Sequence, residues 1–362
     1  MTLIPHRTAA SQVATEMRTI IAQGTWANWL PGERALGQTL KASRNTIRAA
    51  LEQLKAEGLV KSVRGQGTQV LSSPTPSNAN AQPQTVGVLV PSPIGGLRPL
   101  IALWIDELRE QLISEGYRLR LHEGPQYYSA NPNRSLERLI NQHSHHAWVL
   151  TLSSEAMQRW FARHQLPCLV AGSTYPDVVL PSHDLDYRAT CRHAAGVLLR
   201  AGHRRVALLN RETRRAGDLD SEMGFLEGVR MSPHADATVD VAYHSDDVES
   251  VSRALRRLLD RAQPPTGILI SNSYAYLATT SLLAQRGLRI PQNISLISRD
   301  DDPFLRALAP APTRYVVSPH DFAKKMIATL LRLVGHEHVE LVSSRLLPKF
   351  TPGGSVKAPP GA

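Results

Sequence analysis

Short apolar runs alternate with helical stretches along most of this chain. The first run lies at 85–90 and is followed by a predicted helix at 98–115. Further runs occur at 117–123, 147–152, 167–171, 205–209, 267–271 and 294–298. Strand-helix alternation is typical of a parallel sheet with helices on both faces. The segment 85–347 is long enough for two such lobes, and in folds of this kind a ligand binds in the cleft between them.

Length and composition set the outer limits on what this protein is. A chain of 362 residues is long for one domain, which predicts two or three. It lacks an apolar run of about 18 residues and a basic-then-apolar N-terminus, so we expect no membrane span and no secretory signal. Its two cysteines, Cys168 and Cys191, lie in apolar surroundings, which fits a reducing cytoplasm. The net charge of +10 favours a polyanionic partner.

Two segments have the composition of linkers rather than of folded structure. Residues 72–84 contain only Ser, Pro, Thr, Asn, Ala and Gln, so they cannot bury apolar surface. Residues 348–362 are similarly rich in Pro and Gly. The predicted organisation is therefore a small domain at 1–71, a flexible linker at 72–84, a two-lobed domain at 85–347 and a flexible tail at 348–362.

The N-terminal domain is basic and contains a helix of unusual design. Residues 1–71 hold nine basic and four acidic side chains, a net charge of +5. Helices are predicted at 7–22 and 33–40, separated by Pro31-Gly32. A third helix begins at Ser43, a favourable N-cap, and ends near Gly58. Its apolar residues recur at spacings of three and four and form one buried stripe, Ile47, Ala50, Leu51 and Leu54.

The other face of this third helix has basic and amide side chains at its N-terminal end. Arg44 and Arg48 are four residues apart and share that face, with Asn45 beside them. Free N–H groups at a helix N-terminus suit a phosphate, and Arg and Asn can contact guanine and adenine edges in the major groove. This is the geometry of a recognition helix. The strand–glycine turn–strand pattern at 59–71 predicts a hairpin, or wing, with basic Arg64 near its tip. The alternative for any single Arg is a solvated helix face.

These motifs resemble the winged helix-turn-helix domain of GntR-type bacterial transcription regulators. The matching marks are LPGER (30–34), SRNTIRAALEQLKAEGLV (43–60) and GQGTQV (65–70). The resemblance implies that DNA is approached by Arg34, Ser43, Arg44, Thr46, Arg48 and Gly65, with Arg64 at the same wing tip. Asn45 stands where the family often has Thr, and we include it among the DNA-binding residues.

Residues 85–335 resemble the effector domain of LacI-type repressors, which is itself similar to periplasmic sugar-binding proteins. The matching stretches are HDLDYRATCRHAAGVLLRAGHRRVALL (183–209), GFLEGV (224–229) and PTGILISNSYAYLATTSLLAQRGLRIPQNISLISRDD (265–301). The resemblance implies that Asn272 and Asp300 contact the effector, together with the first lobe's strand ends around Ser92. The alternative role for Asn272 and Asp300 is capping at strand ends.

The sequence departs from the LacI pattern at the expected ligand contacts. Ser221 stands where the family usually has an Arg that holds ligand oxygens, so we keep it as a candidate effector contact. Ser273 replaces an expected Asp, and Ser298-Arg299 replace a Gly-aromatic pair. Arg299 or Arg214 would have to supply the missing cation.

Other polar clusters carry weaker chemical meaning. His143–His146 suggests a metal site, but without supporting Cys or carboxylates a polar loop before a strand is the better interpretation. Asp300–Asp302 suggests a magnesium site, although the family resemblance uses Asp300 for the effector. Gly65-Gln66-Gly67 lacks the context of a nucleotide-binding loop, and no nucleophile motif is present. We therefore predict no metal, no cofactor and no enzyme activity.

The sequence as a whole predicts a multi-domain α/β protein, with a winged helix-turn-helix followed by a two-lobed periplasmic-binding-protein-like domain. The predicted function is a cytoplasmic repressor that binds a pseudo-palindromic DNA operator as a homodimer and responds to a small metabolite such as a sugar. Two alternatives stay open: a constitutive regulator without an effector, and an enzyme carrying a DNA-binding head, as in GntR-type regulators with an aminotransferase-like body. A sugar-transport binding protein fits poorly with the basic head and the missing signal.

Overall fold

The computed structural model describes residues 9–22, 26, 29–63, 67–71, 84–213, 215–335 and 343–359. The chain divides into two compact units, residues 1–82 and 83–362. Of the linker predicted at 72–84, only Gln84 is among the described residues. No helix within the described ranges is long and apolar enough to cross a membrane.

The first unit contains three helices and a two-stranded antiparallel hairpin. They are α1 (Ala9–Ala22), α2 (Glu33–Thr39), α3 (Arg44–Ala56), β1 (Val60–Val63) and β2 (Gly67–Val70). The hairpin pairs Val60 with Val70 and Val63 with Gly67. Trp29 forms a bridge to Gln69, which adds the segment before α2 to the edge of the hairpin. The predicted order of helices and strands is confirmed.

The core of this unit is built from the stripe that the sequence predicted. All four stripe residues of α3 are buried against apolar residues of α1 such as Met17 and Ile21. The Ser43 hydroxyl caps the helix by accepting a hydrogen bond from the Thr46 N–H (3.2 Å). Gly58 follows the helix with φ +71°, a conformation that glycine adopts without steric cost. The stripe thus fixes which face of α3 is left to solvent.

The second unit is an alternation of strands and helices. In chain order its elements are β3 (Thr85–Val90), α4 (Pro99–Ser114), β4 (Arg118–Glu123), α5 (Asn133–Gln142), β5 (Ala147–Thr151), α6 (Glu155–Arg163), β6 (Cys168–Ala171), β7 (Ser182–Leu185), α7 (Tyr187–Arg200), β8 (Arg205–Arg211), α8 (Ala216–Arg230), β9 (Thr238–His244), α9 (Val248–Leu259), β10 (Gly267–Ile270), α10 (Ser273–Gln285), β11 (Ser295–Ser298), β12 (Thr313–Val316), α11 (Pro319–Val334), β13 (Ser343–Leu346) and β14 (Lys349–Thr351).

Two six-stranded sheets form the centres of two lobes. The first lobe has strand order β13-β7-β6-β5-β3-β4, and all its strands are parallel. The second lobe has the order β14-β12-β11-β10-β8-β9, parallel except for β14. The central strands are buried and apolar, as expected for sheets covered on both faces. The chain passes between the lobes three times, after β7, β12 and β13.

The prediction of a flexible tail at 348–362 is wrong for residues 348–359, which are the part of it that the structure describes. β14 pairs with β12, from Arg314 opposite Thr351 to Val316 opposite Lys349. Beyond it, the Ser355 hydroxyl is fully buried, accepts a hydrogen bond from the Thr313 N–H (2.8 Å) and donates to the Leu296 carbonyl (2.6 Å). Composition missed this segment because its stability comes from backbone pairing with distant strands and from the packing of Phe350 and Val356 against the core of the second lobe.

Candidate functional sites

The N-terminal part of α3 presents Arg44, Asn45 and Arg48 to solvent. The Arg44 and Arg48 side chains are 72% and 58% exposed. Arg34, at the start of α2, is also exposed. The face opposite these residues is buried, so only this face of the helix is free to meet a groove of DNA.

Glu33 orients both arginines of α3. Its carboxylate accepts hydrogen bonds from Arg44 Nε (3.1 Å) and from Arg48 Nε (3.1 and 3.0 Å). Hydrogen bonds from Arg48 and then Arg44 hold the pKa of Glu33 below its ordinary value. The Glu33 carboxylate therefore occupies N–H donors of Arg44 and Arg48 that could otherwise bind a DNA phosphate or base edge.

The remaining predicted DNA contacts divide into two groups. Ser43 and Thr46 serve the helix itself, because the Ser43 hydroxyl caps the helix and lies 2.8 Å from Thr46 Oγ1. Arg64 and Gly65, at the predicted wing tip, lie outside the described residues. The DNA contacts of α3, of its cap and of the wing tip all stay predictions.

The cleft between the two lobes of the second unit contains two adjoining chambers. One has a volume of about 120 Å³ and the other about 450 Å³. Arg98, Arg211 and Arg215 line both chambers. The smaller chamber is walled by aromatic rings and polar groups, including Trp104, Tyr187 and Phe322. Flat apolar walls with a few convergent polar groups are typical of small-molecule sites.

A buried carboxyl faces the smaller chamber from β7. Asp184 accepts hydrogen bonds from Ser173 Oγ (2.6 Å) and from the Leu185 N–H (2.7 Å). Burial raises the pKa of Asp184 to about 6, although these hydrogen bonds oppose the shift. The Asp184 carboxyl in this wall therefore gains or loses its proton at a pH close to neutral.

Two of the predicted effector residues line the larger chamber, namely Ser92 after β3 and Asn272 before α10. Asn272 Oδ1 caps α10 by accepting hydrogen bonds from the Tyr274 N–H (2.8 Å) and the Ala275 N–H (3.2 Å). The capping alternative is therefore correct for this oxygen.

The other two predicted effector residues lie behind the chamber walls. The Asp300 side chain is 1% exposed and is paired with Arg98 and Arg299. Although burial opposes ionisation, Arg299 and Arg98 hold the pKa of Asp300 below its ordinary value. Ser221 is fully buried and donates to the Gly217 carbonyl (2.7 Å). In this structure, therefore, neither Asp300 nor Ser221 is exposed to the chambers for direct contact with an effector.

Arg299, one of the two candidates for the missing cation, lies beside Ser221. Arg299 Nη1 donates a hydrogen bond to Ser221 Oγ (2.7 Å). Its Cζ lies 4.1 Å from the centre of the Tyr187 ring, in cation–π geometry. Arg299 also lines the smaller chamber. Arg214, the other candidate, lies outside the described residues.

Polar contacts join the lobes across the cleft. Arg98 donates to Asp300, and the Leu100 N–H donates to Asp302 Oδ1 (2.8 Å). Arg345 of β13 pairs with Asp220 of α8 (3.0 Å). These contacts fix one arrangement of the two lobes.

The two weaker clusters have structural partners. Asp301 pairs with Arg314 (2.7 Å), and Asp302 accepts from Ser273 Oγ. His143–His146 form the loop before β5, and no set of three or more His, Cys, Asp or Glu within the described ranges could hold a metal ion. His145 Nε2 lies 2.7 Å from His122 Nε2, a contact between neighbouring segments that sequence could not show.

Sequence reasoning missed the arginines that dominate the cleft. Arg98 precedes α4 by one residue, Arg211 ends β8, and Arg215 precedes α8. The available signal was the position of basic residues at carboxyl ends of predicted strands and at the starts of the helices that follow. In a parallel α/β sheet this edge is where ligands bind.

Comparison with protein families and curated proteins agrees with both resemblances. Residues 9–70 match bacterial regulatory proteins of the gntR family, and residues 195–356 match the periplasmic binding protein-like domain. The repressor CytR of Escherichia coli strain K12 is 23% identical over 209 residues, or 55% of this chain and 58% of CytR. The chain thus spans little more than half the length of the CytR repressors that it matches. The arabinose metabolism transcriptional repressor of Geobacillus stearothermophilus is 25% identical over 290 residues, 77% of each chain.

Solved structures confirm the fold class. The complex of the transcriptional regulator CelR with cellobiose aligns with 97% of this chain and 100% of its own, at a TM-score of 0.67 and 18% identity. A LacI family regulator from Enterococcus faecium with bound ribose aligns with 76% of this chain and 99% of its own, at a TM-score of 0.63 and 19% identity. The chain is therefore similar to gntR-family regulators over residues 9–70 and to the periplasmic binding protein-like domain over residues 195–356, and it has the two-lobed fold of the solved structures.

Proposed function

We propose that this protein is a sequence-specific DNA-binding transcription repressor controlled by a small metabolite, such as a sugar, bound between the lobes of its second unit. The observation that carries the proposal is the exposed face of α3. Arg44, Asn45 and Arg48 share that face at the capped start of a helix whose opposite face is buried. Such a helix can enter the major groove with its N-terminal residues against base edges.

The second unit supports control by a metabolite. A cleft lined by aromatic rings, hydroxyls and guanidinium groups suits a small polar ligand, and the lobes are joined by contacts that a ligand can change. A ligand alters DNA binding only if it favours one lobe arrangement over another. The CytR and arabinose relatives are repressors, and the CelR and Enterococcus faecium structures hold cellobiose and ribose.

The proposal includes a homodimer acting in the cytoplasm. One head per chain and two chains per operator give a pseudo-palindromic site, because the symmetry of the DNA follows that of a two-fold protein. The proposed role is regulatory rather than catalytic. The candidate contacts are the side chains of α3 and Arg34, with Arg64 and Gly65 of the wing as further proposed contacts.

Selection of bound sequences from a random duplex pool tests the proposal directly. The wild-type protein is expected to enrich a motif with two inverted half-sites, and sedimentation is expected to give a dimer. The Arg44→Ala/Arg48→Ala variant is expected to enrich no motif while remaining dimeric. Arg118→Ala/Arg120→Ala, which removes two exposed arginines of β4, is the charge-matched control. Enrichment of the same motif by the Arg44→Ala/Arg48→Ala variant would show that α3 does not read the operator.

A further inference from the structure

Three arginines that line the cleft have nitrogen atoms without hydrogen-bond partners. Arg98 Nε, Arg211 Nε and Arg215 Nη1 are shielded from solvent, and none has a partner in the described part of the chain. All three side chains line both chambers. Arg98 belongs to the first lobe and the other two to the second. Buried donors without partners cost free energy, so a site that keeps three of them is arranged for an acceptor.

The balance of charge identifies Arg215 as the arginine that lacks a counter-ion. Arg98 pairs with Asp300, and Arg211 Nη2 with Asp246 (2.5 Å). Among the residues that the structure describes, no carboxylate lies within ion-pair distance of Arg215. Burial, and then the nearby charge of Arg211, lower the pKa of Arg215, and the more distant carboxylates of Asp218 and Asp246 offset this only in part. Bringing an anion to Arg215 would remove this unfavourable arrangement.

The local backbone and the chemistry of arginine select the same kind of ligand. Arg215 is the N-cap of α8, and Ala216 and Gly217 of the first turn also line the smaller chamber. The N-terminus of a helix is the positive end of its dipole and favours an anion. A planar guanidinium matches the paired oxygens of a phosphate or carboxylate.

We propose that the effector is an anion, namely a monosaccharide that carries a phosphate or a carboxylate, and that its anionic group binds Arg215 between Arg98 and Arg211. This inference rests on the proposed function and names the ligand class of its cleft. The aromatic walls formed by Trp104, Tyr187 and Phe322 hold the sugar ring. Since the arginines come from both lobes, the anion bridges the cleft and favours the arrangement in which the lobes are close.

Equilibrium dialysis with radiolabelled inorganic phosphate tests the anion site in the full chain. Wild type is expected to bind one phosphate per chain saturably at constant ionic strength. Arg215→Gln is expected to weaken binding at least about tenfold, and Arg215→Lys less, because a lysine keeps the charge without the planar pair of donors. Arg118→Gln removes the same charge from an exposed position on β4 and is expected to bind as wild type does. Far-UV circular dichroism melting verifies that each variant is folded.

A set of three sugars with one ring distinguishes the sources of the anion. Binding of glucose, glucose 6-phosphate and glucuronate is measured by calorimetry in phosphate-free buffer. Stronger binding of glucose 6-phosphate indicates a sugar phosphate, and stronger binding of glucuronate indicates a sugar acid. The absence of saturable phosphate binding, or equal binding by wild type and Arg215→Gln, would overturn the inference. Phosphate binding through Arg215 without binding of any of the three sugars supports the anion site and leaves another ring as its occupant, whereas equal binding of glucose and both anionic sugars would overturn the inference.

Gel shifts on the same proteins separate this inference from the proposed function. If anions bind through Arg215 but DNA is not bound, the anion site stands and the repressor proposal fails. If neutral glucose binds and changes operator affinity equally in wild type and Arg215→Gln, the repressor proposal stands and the anion inference fails.

Discussion

Arg98, at the start of α4 in the first lobe, donates a hydrogen bond from Nη1 to Oδ2 of Asp300, which follows β11 in the second lobe. The Arg98 and Asp300 side chains are 15% and 1% exposed. Asp300 also pairs with Arg299 (3.2 Å), which has a longer contact to Asp218 (3.8 Å), so the Asp300 carboxylate is shared by two buried guanidinium groups. This relationship makes Asp300 a part of the lobe contact before any ligand arrives.

Asp300→Asn is expected to destabilise the second unit strongly, because it leaves Arg98 and Arg299 without their shared counter-ion. Breaking a buried ion pair from one side costs on the order of 3–5 kcal/mol. Urea unfolding followed by far-UV circular dichroism measures the loss. Arg98→Gln/Asp300→Asn is expected to cost less than the two single changes added together, since the pair is removed as a unit.

Asp106→Asn is the matched control for this measurement. Asp106 pairs with Arg109 at the surface of α4 (2.6 Å), and its side chain is 61% exposed. Its loss is expected to change the unfolding free energy by less than about 1 kcal/mol. If Asp300→Asn costs no more than Asp106→Asn, Asp300 does not hold the lobes.

Glu33→Gln is expected to strengthen DNA binding. The Glu33 carboxylate occupies both Arg44 and Arg48, so its neutralisation frees two guanidinium groups for phosphates and base edges. We expect affinity to rise several-fold and the salt dependence of binding to become steeper, because more counterions are released from the DNA. Fluorescence anisotropy with a labelled operator at several salt concentrations measures both.

Glu52→Gln is the control for removal of one negative charge. Glu52 also lies on α3 but pairs with Lys55 (2.7 Å) rather than with Arg44 or Arg48. It is expected to change affinity less than Glu33→Gln does. Equal effects of the two substitutions would mean that net charge alone, and not the release of the two arginines, determines the gain.

The stability of the first lobe is expected to depend on pH through His122 and His145. Their Nε2 atoms are 2.7 Å apart, and burial, followed by neighbouring positive charge, lowers both pKa values to about 4. In the unfolded chain they titrate near 6.5, so below that pH the unfolded state binds more protons than the native state. The stabilisation is therefore complete above about pH 6.5 and is lost progressively as the pH falls towards 4.

Urea unfolding midpoints from pH 7.5 to 4.5 measure this dependence. His122→Gln/His145→Gln is expected to have a shallower loss of stability than wild type over this range. The loss does not vanish, because burial also lowers the pKa values of His183 and His203. His320→Gln, at an exposed position, is the control. An unchanged slope in the double variant would exclude the histidine pair as its cause.

Periodicity predicted those parts of the fold whose side chains are apolar. The α3 stripe and the central strands follow directly from it. β7 escaped prediction because three of its four residues are polar, yet all are buried. His183 is satisfied by Ser344 and by Thr329, the latter 146 positions away along the chain. A strand of this kind is stabilised by tertiary partners that local sequence does not contain.

The candidate cleft shows the same limit more sharply. Strand-end positions predicted where Ser92 and Asn272 lie, because parallel strands end at one edge of a sheet. Arg98 and Asp300, however, are 202 positions apart, and their pairing removes Asp300 from the chamber wall. The resemblance to LacI-type repressors indicated the correct region, while the partners of each carboxylate required the fold.

Removal of residues 349–362 is expected to destabilise the second lobe. The truncation deletes β14 from the edge of its sheet and removes the Ser355 hydroxyl, which satisfies the buried Thr313 N–H and the Leu296 carbonyl. Ser355→Val alone leaves those two groups without partners, a cost of about 1–3 kcal/mol, and is expected to lower Tm by roughly 2–8 °C. The truncated chain is expected to melt lower still, because it also loses the strand pairing.

A chain ending at Pro359 keeps every described contact and serves as the control in differential scanning calorimetry. Equal Tm values for the chain ending at Pro348 and the chain ending at Pro359 would show that this segment does not stabilise the second lobe.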